Sequence, residues 1–321
     1  MSILHNRSSK KALKNNMFLK KTPRLILSFY KYFYIKDPQS YRDQIYKNFL
    51  QYQILGRVYI ANEGINAQIS IPVHIYSSFK KFLYQFDSEL NNVRINKTFS
   101  FNNVYAFWMF SVKVKKNIVN DGIENPLFKF EHVGTYVNAE KVNLMIQNKK
   151  IIFIDMRNSY EYKIGRFPNA IEIKSNTFRE QLKNIIKTMS YAKNEKIVMY
   201  CTGGIRCEKA TSWMIFNGFT NVYHIEGGII GYVNQAKRNR LPILFKGSNF
   251  VFDNRMSEKI SEDVLSLCTQ CNQPSNNYVN CMFNLCHLLF IQCHSCAINF
   301  KNCCSFDCMK QANVLLKKNN V

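Results

Sequence analysis

The chain has 321 residues, a formal charge of +23 and a sequence pI near 9.6. That length suits two domains and a tail, and 46% hydrophobic content lets each domain bury a substantial core. No apolar run reaches the roughly 18 residues of a membrane span, and the polar, basic stretch 1–21 is not a secretory signal. A cytoplasmic protein with reduced thiols is therefore expected. The charge suits an acidic partner such as nucleic acid. With 32 Lys against 12 Arg it is equally the residue of AT-rich coding.

In chain order, residues 1–23 form a basic arm, either a solvated leader or a phosphate-contacting segment. Residues 24–33 read as a strand, and Pro38 opens a helix over 38–54. Residues 56–61 and 65–71 read as strands joined by the turn Asn62-Glu63-Gly64, the second alternating as a half-buried strand does. Pro72 opens a helix with Ile75, Phe79, Leu83 and Phe86 on one stripe. Residues 107–114 are the expected last strand. The order β-α-β-β-α-β over 24–116 predicts a ferredoxin-like domain. Lys113, Lys115 and Lys116 close that strand and are candidate RNA contacts. Residues 117–134 are polar, contain Gly122 and Pro126, and read as a linker.

A second, α/β unit is expected over 135–245, with a parallel sheet. Thr135 or Asn138 caps its first helix, and 151–155 and 196–200 are buried-strand runs. Between the second of these and the next helix lies Cys201-Thr202-Gly203-Gly204-Ile205-Arg206-Cys207. A cysteine at a strand-to-helix turn faces backbone N–H groups and the positive end of a helix, which stabilise a thiolate. Arg206 adds a full positive charge, and Thr202, Gly203, Gly204 and Ile205 form the cradle. The plainer reading is a structural Cys beside a tight turn. Cys207 is the weaker candidate, either a resolving thiol or a packed residue.

Residues 246–267 connect to the tail, with a short helix expected over 258–267. Nine of the 11 cysteines then fall within 268–310. They divide by order into Cys268, Cys271, Cys281 and Cys286, then Cys293, Cys296, Cys303, Cys304 and Cys308. Two Cys-x2-Cys knuckles with further thiols predict two four-cysteine zinc sites with one of Cys303 or Cys304 spare. An iron–sulfur cluster is the alternative, and His287 and His294 are substitute ligands. No Gly-rich dinucleotide fingerprint is present, so no nucleotide cofactor is expected.

The Cys201 loop resembles the Cys-x-x-Gly-x-Arg loop of rhodaneses, whose cysteine carries a persulfide. Asp155-Met156-Arg157, Glu161-Tyr162, Gly165-Arg166 and Ala170 resemble the rhodanese signature, with Arg166 where that signature has His. His224-Ile225-Glu226-Gly227-Gly228 resembles its closing motif. Ser28 to Phe33, Glu63 to Gln68, Asn249 to Asp253 and Cys286 to Cys293 extend the likeness over nearly the whole chain. Together they resemble the bacterial rhodanese-domain tRNA uridine(34) hydroxylases.

That resemblance implies a tRNA partner bound at its anticodon loop, molecular oxygen as co-substrate, and hydroxylation of wobble uridine to 5-hydroxyuridine. This is the first step toward 5-carboxymethoxyuridine or 5-methoxyuridine. Cys201 is then either a thiolate that adds to uracil or a persulfide carrier, with Asp155, Arg157, Glu63 and Asn66 in support. Glu63 to Asn66 read on their own as an ordinary hairpin turn. The competing functions are a persulfide-carrying sulfurtransferase and a non-catalytic RNA-binding module.

Overall fold

The computed structural model describes residues 22–99 and 106–318. The expected basic arm, apart from Thr22 and Pro23, lies outside them. The first domain runs β1 (Arg24–Tyr32), α1 (Pro38–Gln51), β2 (Leu55–Ala61), β3 (Gly64–Pro72), α2 (Tyr76–Phe86), β4 (Asn96–Phe99) and β5 (Phe110–Val114). Its sheet order is β4-β1-β3-β2-β5. Each neighbouring pair among the first four strands in that order is antiparallel, and β5 runs parallel to β2. This is the ferredoxin-like arrangement with one added edge.

The strand that closes the β-α-β-β-α-β unit is therefore β4, which the sequence reading passed over, and not the strand expected at 107–114. Asn-Lys-Thr-Phe is short and polar, as an edge strand is. The added strand starts at Phe110, three residues later than expected. Helix α1 stops at Gln51, because Gln53 turns to a positive φ of 52° and Ile54 drops into the core. Asp37 caps its start, accepting the N–H groups of Gln39 and Ser40.

Alternation along the strands sorts the sheet into two faces. Leu27, Phe29, Val58, Ile60, Ala67 and Ile69 point to α1 and α2 and form one core with Phe49, Phe79 and Leu83. The opposite face carries Ser28, Tyr30, Asn66, Gln68, Arg57 and Tyr59. It turns toward the second domain.

That domain runs β6 (Thr135–Val137), α3 (Ala139–Gln147), β7 (Ile152–Asp155), α4 (Ser159–Ile164), β8 (Gly165–Arg166), β9 (Ile171–Glu172), α5 (Phe178–Thr188), β10 (Ile197–Tyr200), α6 (Ile205–Phe216), β11 (Val222–Ile225) and α7 (Gly228–Arg238). Thr135 belongs to a strand, and Asn138 is the cap, its side chain accepting the Lys141 N–H at 2.9 Å. The sheet order is β6-β11-β10-β7-β9, all parallel. Both faces are covered, so Ile197 to Tyr200 is a continuous buried run. Helices α5 and α6 pack on one face and α3 and α7 on the other.

The remainder runs β12 (Lys246–Phe250), β13 (Ser257–Lys259), β14 (Tyr278–Asn280), β15 (Leu289–Ile291), α8 (His294–Asn299) and α9 (Phe306–Lys318). The helix expected over 258–267 does not form. Ser257 to Lys259 pair with β12 instead, and 260–267 is irregular. β12 also pairs with β8, so the connector is an extension of the second domain.

Candidate active site

Cys201 lies just beyond the C-terminal end of β10, where the chain turns into α6. Gly204 makes the turn at φ 104°, and a Cβ there would meet the Tyr30 hydroxyl at 2.8 Å. Gly228 lets α7 approach from the side; a Cβ would sit 2.5 Å from the Cys201 carbonyl oxygen. The N–H groups of Ile229 and Ile230 donate to the carbonyls of Cys201 and Thr202, at 2.9 and 3.2 Å. The loop is thus held from both sides.

The Gly204 N–H donates to the Cys201 sulfur at 3.2 Å. Burial alone would push the Cys201 thiol up. A hydrogen bond from the Cys207 thiol, the Arg206 charge and the N–H groups of Cys207 and Gly204 outweigh it and bring the thiol down to about 6. Burial and the neighbouring Cys201 sulfur push Cys207 well above its ordinary value. Cys207 therefore keeps its proton beside the Cys201 sulfur, where the sequence left it between resolving thiol and packing.

Arg206 does not arch freely over the loop. Its guanidinium makes a two-point ion pair with Glu161 at 2.6 and 2.9 Å and reaches the Thr202 hydroxyl at 3.3 Å. Glu161 is fully buried and accepts the Asn158 N–H at 3.0 Å, so it also caps α4. Burial raises its carboxyl, and the Arg206 charge and hydrogen bonds more than offset that, holding it below the usual carboxylate range.

Asp155 and Arg157 sit deeper. Arg157 is fully buried, binds both Asp155 oxygens and donates to the Gly165 carbonyl at 2.5 Å. The pair braces the turn after β7 and lies outside the cavity that Cys201 lines. The cavity holds about 110 Å³, several times the ~10–15 Å³ that one water needs. Cys201, Thr202, Gly203, Ile205 and Arg206 form its floor. Ser28, Asn66, Gln68 and Asn96 from the first domain face them, and Phe252, Asp253 and Arg255 close the side. Arg255 is tied to Asp253 at 2.6 Å.

Asn66 donates to the Ile118 carbonyl at 3.0 Å and accepts from Gln68. Glu63 accepts the Ile118 N–H at 2.8 Å and pairs at 2.5 Å with Lys209 of α6. So Asn66 lines the cavity and Glu63 fastens the two domains. Tyr30 donates to Glu208 at 2.8 Å and Asn96 to the Gly227 carbonyl at 3.0 Å across the same boundary.

Ser28, Gln68, Asn96, Phe252, Asp253 and Arg255 were not picked out as site residues from the sequence. The alternation in β1 and β3 carries a signal for Ser28 and Gln68, but a polar strand face ordinarily reads as solvated. Lys113, Lys115 and Lys116 are exposed along the β5 edge, with the Lys115 ammonium 5.9 Å from the centre of the Tyr59 ring.

The tail brings its thiols together differently from their order in sequence. One group is Cys268, Cys271, Cys293 and Cys296, and the other is Cys281, Cys286, Cys304 and Cys308. Sulfur separations of 3.6 Å (Cys271 to Cys293, Cys304 to Cys308) and 3.7 Å (Cys286 to Cys304) match the ~3.8 Å edge of a thiolate tetrahedron around zinc. Each group thus fits one tetrahedral metal ion. Cys303 is the spare thiol, buried with its S–H toward the Lys301 carbonyl. Among the described residues, neither His287 nor His294 joins a group.

The expected sequential grouping fails because β14 and β15 are antiparallel. Cys281 and Cys286 lie in their connecting loop, and Cys293 follows β15 at the opposite end, where the Thr269 N–H binds the Ile291 carbonyl.

Three family models match: "UPF0176 acylphosphatase like domain" over 24–118, "Rhodanese-like domain" over 138–235 and "Rhodanase C-terminal" over 246–309. A tRNA uridine(34) hydroxylase of Buchnera aphidicola from Acyrthosiphon pisum (strain Tuc7) is 63% identical over the full chain and 98% of that protein. One from Buchnera of Schizaphis graminum is 64% identical over 97% of this chain and 99% of its own length. One from Enterobacter sp. (strain 638) is 51% identical over 97% of this chain and 89% of its own. With the rhodanese-type cysteine loop and the ferredoxin-like roof in place, full-length identity of this order means that the chain belongs to the tRNA uridine(34) hydroxylase family.

Proposed function

We propose that the chain hydroxylates C5 of uridine 34 in tRNA, with Cys201 as the reacting sulfur and molecular oxygen as co-substrate. The observation that carries this is the Cys201 sulfur, accepting the Gly204 N–H at 3.2 Å, on the floor of a small cavity roofed by amide side chains. Asn66, Gln68 and Asn96 each have one amide N–H already bonded within the protein and a second left to meet the acceptor oxygens of uracil. A loop base is already single-stranded and enters such a pocket without melting a duplex.

In this reading the Cys201 thiolate adds to C6 of the uracil and leaves C5 electron-rich. C5 takes one oxygen atom from the co-substrate; a two-electron donor reduces the other to water. Loss of the C5 proton and expulsion of the thiolate restore the ring. Arg206 holds the thiolate form, and Cys207 supplies a hydrogen bond to it. We assign structural zinc to both thiolate groups, a cytoplasmic location, and domains at 24–116, 135–245 and 268–310.

Nucleoside mass spectrometry of tRNA from cells lacking the gene is expected to show no 5-hydroxyuridine. The intact chain restores it, and folded Cys201→Ser does not. Full restoration by Cys201→Ser would remove Cys201 from the chemistry. Sulfur transfer from thiosulfate without any 5-hydroxyuridine would favour the sulfurtransferase reading.

A further inference from the structure

Beside the Cys201 cavity, a groove of about 540 Å³ runs along the β2–β5 edge of the roof sheet. Arg57, Tyr59, Phe107, Trp108, Lys113 and Phe252 line it. Phe107 and Phe252 also line the Cys201 cavity, so the two spaces share a wall. Register explains the placement. Tyr59 stands opposite Lys113 and Arg57 opposite Gln68, and Gln68 faces the cavity. Groove and cavity are one strand spacing apart, about 4.8 Å.

The chemistry of the wall is specific. It combines aromatic rings with cations, and its acid, Asp253, is already held by Arg255. The Arg57 Nε is buried with no hydrogen-bond partner among the described residues, and a buried donor left that way is costly. Arg57, Tyr59 and Lys113 stand on the sheet, with Phe107 and Trp108 in the segment just before β5 and Phe252 in the connector; aromatic rings set among basic side chains in this way form a stacking platform for single-stranded nucleic acid.

We propose that this groove holds the nucleotide adjacent to the reacting uridine in the same RNA strand. Its base stacks on Trp108 and Tyr59, and its phosphate is met by Arg57 and Lys113. The proposal rests on the reading that the Cys201 cavity takes a uracil of tRNA. It makes the groove a positioning device: stacking the neighbour fixes how far the uridine is pulled into the cavity.

The test uses the full chain and three anticodon stem-loop RNAs: intact, abasic immediately 5′ of the uridine, and abasic immediately 3′ of it. Dissociation constants are read by fluorescence anisotropy and 5-hydroxyuridine by mass spectrometry. Trp108→Ala is expected to weaken the intact loop about tenfold, with Trp108→Phe close to wild type. One abasic loop costs the wild type a similar factor, and on that loop Trp108→Ala costs nothing further. Should Trp108→Ala fold poorly, Tyr59→Leu is read in the same cycle. Equal loss on all three loops, or no loss on any, would overturn the groove assignment while the uridine reading stands. A wild-type chain that neither binds nor modifies the intact loop would overturn both.

Discussion

At Cys201 one sulfur collects a hydrogen bond from a neighbouring thiol, two backbone N–H groups and an arginine charge, all against the cost of burial. The thiolate is therefore expected to titrate near pH 6. Activity that depends on it falls as pH drops through that value and is flat above. The difference in ultraviolet thiolate absorbance between wild type and Cys201→Ser measures the midpoint. Cys207→Ala removes the donated S–H and is expected to move the midpoint up; an unmoved midpoint would leave Cys207 a packing role only. Glu161 acts one step behind. Glu161→Gln leaves the buried Arg206 charge unpaired and is expected to cost about 3–5 kcal/mol of stability in denaturant unfolding. Because the folded Glu161 carboxyl is lowered, its contribution is complete above the unfolded value of ~4.3. It is lost as pH falls through the lowered folded value.

Single elements show what a sequence displays and what it hides. The Cys201 loop was legible because its parts are consecutive: a buried strand, two glycines, an arginine and a helix. The cavity's roof was not, because Ser28, Gln68 and Asn96 come from three strands and look solvated until a second domain covers them. The tail's cysteines announced two metal sites, but spacing does not say which thiols meet; the antiparallel β14–β15 pair decides that by sending Cys281 and Cys293 to opposite ends. The grouping is testable. Purified protein is expected to carry about two zinc ions per chain. The double variant Cys271→Ser with Cys293→Ser strikes one group and is expected to retain about one. Under the sequential grouping it would strike both, and loss of both zinc ions on elemental analysis would restore that arrangement. Cys303→Ser is expected to keep two.

Across the whole molecule, the site exists only where three regions meet. The first domain supplies the roof, the second the sulfur, and the connector Phe252, Asp253 and Arg255. Lys209, almost fully buried, fastens this meeting through Glu63 at 2.5 Å and Asp121 at 3.3 Å. The net charge of +23 acts at the same scale. Replacing Lys113, Lys115 and Lys116 together by Gln is expected to weaken tRNA binding. It also lowers the salt slope by roughly one unit per lost phosphate contact. Thiolate titration at Cys201 is expected to stay unchanged, since none of the three touches the loop. A titration that shifts with the binding would mean that these lysines hold the domains together and do not contact RNA.

The interleaving of the two thiolate groups bears on the order of events during synthesis. The first group is complete once Cys296 has left the ribosome. The second, begun at Cys281, waits for Cys308, twelve residues later. At ~5–20 residues per second that delay is about a second. During it a metal held by the first group would already clamp both ends of the hairpin's open side, and the second pair of thiols would arrive at a loop whose shape is set for it.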